Sequence, residues 1–216
     1  NDIKIIDLSA DFRFQDLKLY FDTYGKEHKC PEILKNAIYG LTELNRNQIK
    51  GAKLIANPGC YVITCILGIY PLLMEKIIDL EHFIHINAIN GTTGAGIKPK
   101  RELMYTEMAN NMMPYNLEGH RHGPEIESQL SNIASNNVKV IFNTTHGPYP
   151  RGIFSNMSIE LNPDYNNSVS RNDLINIYHK YYGKGKAKEY FIRIIDYLKP
   201  GSKNEKIYDV YPRLSN

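Results

Sequence analysis

No apolar run in the sequence is long enough for a bilayer. The longest, Tyr61 to Met74, falls short of the roughly 20 residues a spanning helix needs, and Pro71 interrupts it. Charge of one sign is also lacking: 26 basic and 23 acidic residues are interspersed and leave a net +3, which is no field for a dedicated nucleic-acid binder but leaves small anionic ligands open. Cysteine is sparse and odd in number. Cys30, Cys60 and Cys65 make no disulfide framework, so the expectation is a reducing compartment, the cytoplasm by default. The first residues carry no Met and no basic targeting segment; they open on a strand, so the chain is expected to begin in mid-structure, as part of something longer.

What is present suits a globular fold. An apolar share of 42% against 23% charged residues excludes the composition of disorder, and 216 residues allow one composite unit or two modules. Period-two patterns and short apolar runs predict strands at Ile3–Leu8, Lys53–Ala56, Phe83–Ile89, Val138–Phe142, Ile153–Leu161 and Phe191–Ile195. Helical spacing predicts helices at Thr64–Met74, disturbed at Pro71, and at Lys100–Asn110, Pro124–Ala134 and Asn172–Tyr182. The segment from Asp11 to Gly40 shows no clear period and reads as loops with a short helix. The pattern is mixed α and β.

Cys60 is the sharpest candidate for chemistry. In Asn57-Pro58-Gly59-Cys60 the turn sets a thiol at the mouth of a helix, where unpaired N–H groups and the helix dipole favour an anion and so a nucleophilic thiolate. The alternative is a small buried hydrophobe, the reading kept for Cys30 and Cys65. A second cluster, Gly119-His120-Arg121-His122-Gly123-Pro124-Glu125, offers proton transfer near neutral pH and a guanidinium that can clamp an anion; a solvated loop is its plain reading. If His120 and His122 lie in an extended segment they point the same way, and His146 or Glu125 can then complete a zinc site, although no His-Glu-x-x-His or Cys-x-x-Cys motif supports it. Gly91 to Gly96 follows a strand and can approach a phosphate or form a simple turn. It is not a Walker loop, because Pro99 stands where a hydroxyl is needed. Arg151, in a loop stiffened by Pro148 and Pro150, can meet an anion or cap a strand.

Five ordered motifs carry a resemblance. Ile6-Asp7-Leu8-Ser9-Ala10-Asp11-Phe12-Arg13, Tyr39-Gly40-Leu41-Thr42-Glu43, Asn57-Pro58-Gly59-Cys60-Tyr61, Gly94-Ala95-Gly96 and His120-Arg121-His122-Gly123-Pro124-Glu125-Ile126 resemble, in order and spacing, the N-acetyl-gamma-glutamyl-phosphate reductases of arginine biosynthesis, relatives of aspartate-semialdehyde dehydrogenase. The resemblance implies an α/β fold: residues 1–58 as the remnant of a Rossmann-like NADP-binding domain, and 59–216 as an α+β, glyceraldehyde-phosphate-dehydrogenase-like catalytic and dimerisation domain with a mixed sheet. It implies Cys60 as nucleophile and His120 as acid/base residue. Thr93, Gly94, Ala95 and Gly96 would belong to the NADP site, and Asn57, Tyr115, Arg121 and Arg151 to the substrate's surroundings. It further implies a homo-oligomer acting on a small anionic substrate, with no nucleic acid, membrane or metal. The family's glycine-rich dinucleotide fingerprint is not among the 216 residues, and Val62-Ile63 stand where its cysteine motif continues with Pro-Thr. Two alternatives remain: another acyl-phosphate or semialdehyde dehydrogenase, or a non-catalytic binding or oligomerisation module.

Overall fold

A computed structural model describes residues 3–165, 168–183 and 189–195. Two sheets organise it. Near the N-terminus, β1 (Ile5–Asp7) leads through α1 (Leu17–Tyr24) and the single turn α2 (Pro31–Leu34) to β2 (Ala37–Tyr39), then through α3 (Thr42–Gly51) to β3 (Leu54–Ala56). The three strands are parallel in the order β1-β3-β2, with Ile6 and Ile38 both opposite Ile55. Asp16 starts α1 by accepting the backbone N–H groups of Lys18 and Leu19, and Gly25 ends it at φ +66°, a left-handed conformation that costs glycine little. Two helices and β2 thus occupy a stretch expected to be mostly loop, and α3 was not anticipated. All four pieces are short and take their stability from packing more than from periodicity.

Helix α4 (Cys60–Met74) opens the larger unit, followed by β4 (Ile84–Asn90), α5 (Tyr105–Met108), β5 (Met113–Tyr115), α6 (His122–Ala134), β6 (Val140–His146), β7 (Ile153–Ser158) and α7 (Arg171–Tyr178). Its sheet runs β5-β6-β4-β7. β4 is parallel to β6 and antiparallel to β7, and β5 is antiparallel to β6, so the sheet is mixed as expected. Ile84, Ile86 and Ala88 of β4 point inward in strict alternation and pack with Tyr61, Val62, Cys65, Ile66 and Ile69 of α4 and Ile126 and Leu130 of α6. His85 and Asn87 point the other way, on a face where Ile141 and Phe154 are exposed.

Two expectations are corrected. The helix foreseen at Lys100–Asn110 is a 3₁₀ turn, Arg101–Leu103, and the short α5, separated by Met104 at φ −65°, ψ 150°; only Met108 of the stretch is buried, so no apolar stripe holds a longer helix together. Residues Phe191–Ile195 form no strand: Phe191 is 88% exposed and the segment pairs with no ladder among the described residues. Helix α4 ends at Met74 as expected, running through Pro71, and begins four residues earlier than its apolar pattern, at Cys60.

Candidate active site

Gly59 is the N-cap of α4 and Cys60 its first residue, so the Asn-Pro-Gly-Cys turn delivers an exposed thiol to the mouth of a helix. Ile63 N–H is the first to bond back, to the Gly59 carbonyl at 3.1 Å. The N–H groups of the residues before it belong to the unpaired first turn of a helix and face the end where Cys60 lies. Val62, in the place of the family's proline, is fully buried in the core. Thr64 turns back to donate to the Cys60 carbonyl at 3.3 Å.

A cleft of about 300 Å³ lies beside this turn, lined by Cys60, Tyr61, Gly94, Ala95, Lys100, Tyr115, Asn116, His120, Arg121, His122 and His146. His120 is 9% exposed, and its Nδ1 accepts the backbone N–H of His122 at 3.0 Å. Burial first, then the charges of Arg121 and His146, push its pKa down to about 4. It is therefore neutral near pH 7, and with Nδ1 occupied as an acceptor its proton sits on Nε2. Burial and the His120 ring push His122 lower still, to about 3. The His122 ring lies against Gly59: a Cβ there would come within 2.6 Å of Nε2. Tyr61 and Tyr115 share a hydroxyl–hydroxyl hydrogen bond of 2.8 Å, and burial raises the pKa of both phenols. His146, its pKa lowered by burial and by Lys100, stacks flat on Tyr115 with centroids 3.9 Å apart.

The fold brings Cys60, His120, Tyr115, Arg121, Gly94 and Ala95 of the expected site residues to one cleft. The others stand apart from its lining. Asn57 gives its carbonyl to Arg13; the Thr93 hydroxyl donates to the Pro150 carbonyl at 2.6 Å; Gly96, at φ +92°, lies beyond the lip; Arg151 is exposed in the loop whose backbone packs on Gly91. His120 and His122 do not lie in an extended segment, because Arg121 is already helical and His122 begins α6. Glu125, considered above as a zinc ligand, is instead fully buried in a hydrogen-bonded ion pair with Arg13. Among the described residues, no three His, Cys, Asp or Glu side chains gather where a metal can be held. Lys100 carried no signal in sequence and His146 was singled out there only as a zinc ligand, whereas His122 was read with His120 as part of a proton-transfer cluster or as a zinc ligand and not as a site residue in its own right.

The family model for semialdehyde dehydrogenase dimerisation domains matches residues 60–206. The chain belongs to the semialdehyde dehydrogenase dimerisation-domain family. Within that family it is similar to the N-acetyl-gamma-glutamyl-phosphate reductase of Lachnoclostridium phytofermentans, 44% identical over 90% of this chain and 54% of the relative. It is also similar to the probable chloroplastic N-acetyl-gamma-glutamyl-phosphate reductase of Oryza sativa subsp. japonica, 43% identical over 80% of this chain and 40% of that protein. The chain spans about half the length of the curated relatives it matches. Among solved structures, aspartate semialdehyde dehydrogenase II from Vibrio cholerae aligns with a TM-score of 0.54 over 80% of this chain and 51% of its own, at 14% identity. The enzyme from Francisella tularensis aligns at 0.52 over 70% and 53%, with 15% identity. These likenesses establish the α/β semialdehyde dehydrogenase fold.

Proposed function

We propose that the protein catalyses the NADPH-dependent reduction of N-acetyl-glutamyl 5-phosphate to N-acetyl-glutamate 5-semialdehyde and phosphate, in arginine biosynthesis, through a thioester on Cys60. The observation that carries this reading is the exposed Cys60 thiol at the start of α4, facing a cleft it shares with a buried, neutral His120. Similarity to relatives named as this reductase supports the substrate.

The exposed Cys60 thiol gives its proton to solvent and attacks the acyl carbon as the thiolate through Sγ, the carbonyl oxygen takes up the electron pair, and its return expels phosphate to leave the thioester. On this reading the oxygen of this adduct forms beside the first N–H groups of α4 and accepts from the Nε2–H of His120, which lines the same cleft; donors of this kind contribute about 3 kcal/mol each. Arg121 and Lys100, both exposed on the cleft, supply positive charge for a phosphate. Gly94 and Ala95 give the cleft a lip with almost no side chain, which lets a cofactor approach this backbone closely; glycine at 94 is separately required by Asn90, whose side-chain amide fills the space a Cβ would take. NADPH, when bound there, supplies the hydride for the reduction.

The same reading divides the chain at about residue 58 into the remnant of a cofactor-binding domain and a catalytic and dimerisation domain. A homo-oligomer follows from the family, with the exposed Ile141 and Phe154 face of the second sheet as the surface a second copy would cover. A cytoplasmic setting belongs to the proposal. Among the described residues no helix is long and apolar enough to cross a membrane.

The test is Cys60→Ser in the full-length gene product, assayed with NADPH and N-acetyl-glutamyl phosphate, together with iodoacetamide labelling of the three cysteines. Turnover should vanish in the variant, and Cys60 should label ahead of Cys30 and Cys65 in the wild type. Retained turnover in Cys60→Ser rejects the mechanism. Faster turnover with aspartyl phosphate would point to the sister dehydrogenase, and absence of NADP binding by calorimetry to a non-catalytic module.

A further inference from the structure

Glu125 is a fully buried carboxylate on the first turn of α6, and none of its partners comes from its own helix. Its Oε1 accepts the Gly59 backbone N–H at 3.0 Å and the Tyr39 hydroxyl at 2.8 Å, and its Oε2 accepts from Arg13 at 3.3 Å. Arg13, itself 8% exposed, uses every edge of its guanidinium: Nε donates to the Asn57 carbonyl at 2.8 Å and a terminal nitrogen to the Leu8 carbonyl at 3.3 Å. The ends of β1, β2 and β3 are thereby tied to α6, and the tie closes on the two residues that flank Pro58. Pro58 has no N–H, and its carbonyl is taken by the Asn57 side-chain amide at 3.2 Å, so the carbonyl of Asn57 and the N–H of Gly59 are the handles left to other elements just ahead of Cys60. Both are held. The His122 ring, one helical turn before Glu125 on the same face of α6, presses on Gly59 from the other side.

We infer that Arg13, Glu125 and Tyr39 are positioning residues: a buried charged brace that fixes the backbone of the Asn57-Pro58-Gly59 turn and so aims the Cys60 thiol, without touching the substrate. A buried ion pair is a poor way to gain stability, because apolar residues of similar volume commonly do as well. A carboxylate that reaches the N–H next to the reactive residue is a good way to fix a backbone atom. The pairing also explains why both charges are present. An unpaired carboxylate beside Gly59 would oppose a thiolate one residue away, and Arg13 cancels that charge while holding the neighbouring carbonyl.

The inference rests on Cys60 as nucleophile, and its test separates the two. In the full-length gene product, Glu125→Gln, Arg13→Lys and Tyr39→Phe are compared with wild type by kcat, KM, thermal midpoint and the rate of Cys60 labelling by iodoacetamide at fixed pH. We expect Glu125→Gln to lower kcat about ten- to a hundredfold, the cost of misplacing a reacting group, with KM within about twofold and labelling slowed in parallel. Arg13→Lys keeps the charge but reaches one acceptor in place of three, so it should show the same split, and Tyr39→Phe a smaller one in the same direction. A brace that serves only the fold would lower the thermal midpoint and leave kcat and labelling unchanged at temperatures where the variants are folded, and that result overturns the inference. If Glu125→Gln does not fold, Tyr39→Phe decides, since it removes a single hydroxyl. If wild-type Cys60 labels no faster than Cys30, the nucleophile reading fails and the brace with it; if wild type labels selectively and the variants match it, only the brace fails.

Discussion

At Gly59 the space for a side chain is taken by the His122 ring, whose three nearest atoms lie 2.6, 2.8 and 2.9 Å from where a Cβ would stand. The backbone there, φ −62° and ψ 145°, is open to any residue, so glycine is required by contact and not by conformation. Gly59→Ala should therefore cost about 1–3 kcal/mol of stability by overpacking, read from denaturant unfolding, and should lower kcat as His122 and the Cys60 turn move apart. A neutral variant would show that the ring gives way freely. His120 is a different case, since it lines the cleft and its one buried nitrogen is already engaged with the His122 N–H. His120→Asn should keep the fold and reduce kcat by about two to four orders of magnitude, the range of a lost proton donor. Cys65, five residues along the same helix from Cys60, is enclosed, and burial pushes its thiol up to about 12, so it should stay unlabelled in the native protein.

Helix α4 carries a proline near its C-terminal end and does not break, and the reason lies in α7 and the π-helical turn His179–Gly183 that follows it. Pro71 has no N–H for the Leu67 carbonyl four residues earlier, and its ring crowds that carbonyl outward. Tyr182 donates its hydroxyl to the Leu67 carbonyl at 2.9 Å, and Tyr178 donates to the next one, Gly68, at 2.5 Å. Both phenols are pushed upward in pKa by burial and stay protonated donors. Tyr182→Phe should leave a buried carbonyl unsatisfied and cost about 1–3 kcal/mol, measured by chemical denaturation. In a Pro71→Ala background the regained helical N–H should shrink that cost, and a double-mutant cycle with no coupling between the two sites would refute the account. α5 shows the opposite relation of pattern to environment: its sequence was read as part of an eleven-residue helix, and without a surface to cover it ends after one turn.

For the whole molecule, folding buries His120 and His122 in their neutral forms against Tyr61, which links folding to pH. The unfolded chain takes up protons on both below about pH 6.5, while the folded one resists until about 4 for His120 and about 3 for His122. Stability is thus complete above about pH 6.5 and is lost as pH falls through 4 and toward 3. The carboxylates held low by partners, Asp11 and Glu75, have ordinary values of 3.8 and 4.5, so the loss between pH 6.5 and about 5 is the histidines' own. The thermal midpoint should fall across that interval, and His122→Gln should flatten the fall; a midpoint constant from pH 7 to 5 contradicts the burial of these rings. The sequence by itself determined the strands β4, β6 and β7 and the helices α4, α6 and α7 in their order along the chain, the Asn-Pro-Gly-Cys turn into a helix, and the family; β5 it missed. Each is local: period two against 3.6, a proline and a glycine before a cysteine, motifs in a line. Tertiary structure alone decided which residues meet. It set Arg13, Tyr39 and Glu125 around one backbone N–H although they are as much as 112 residues apart, placed Lys100, His122 and His146 on the cleft, and kept Asn57, Thr93, Gly96 and Arg151 off its lining. A side chain's partners across two sheets depend on how those sheets pack, and no spacing along the chain encodes that distance.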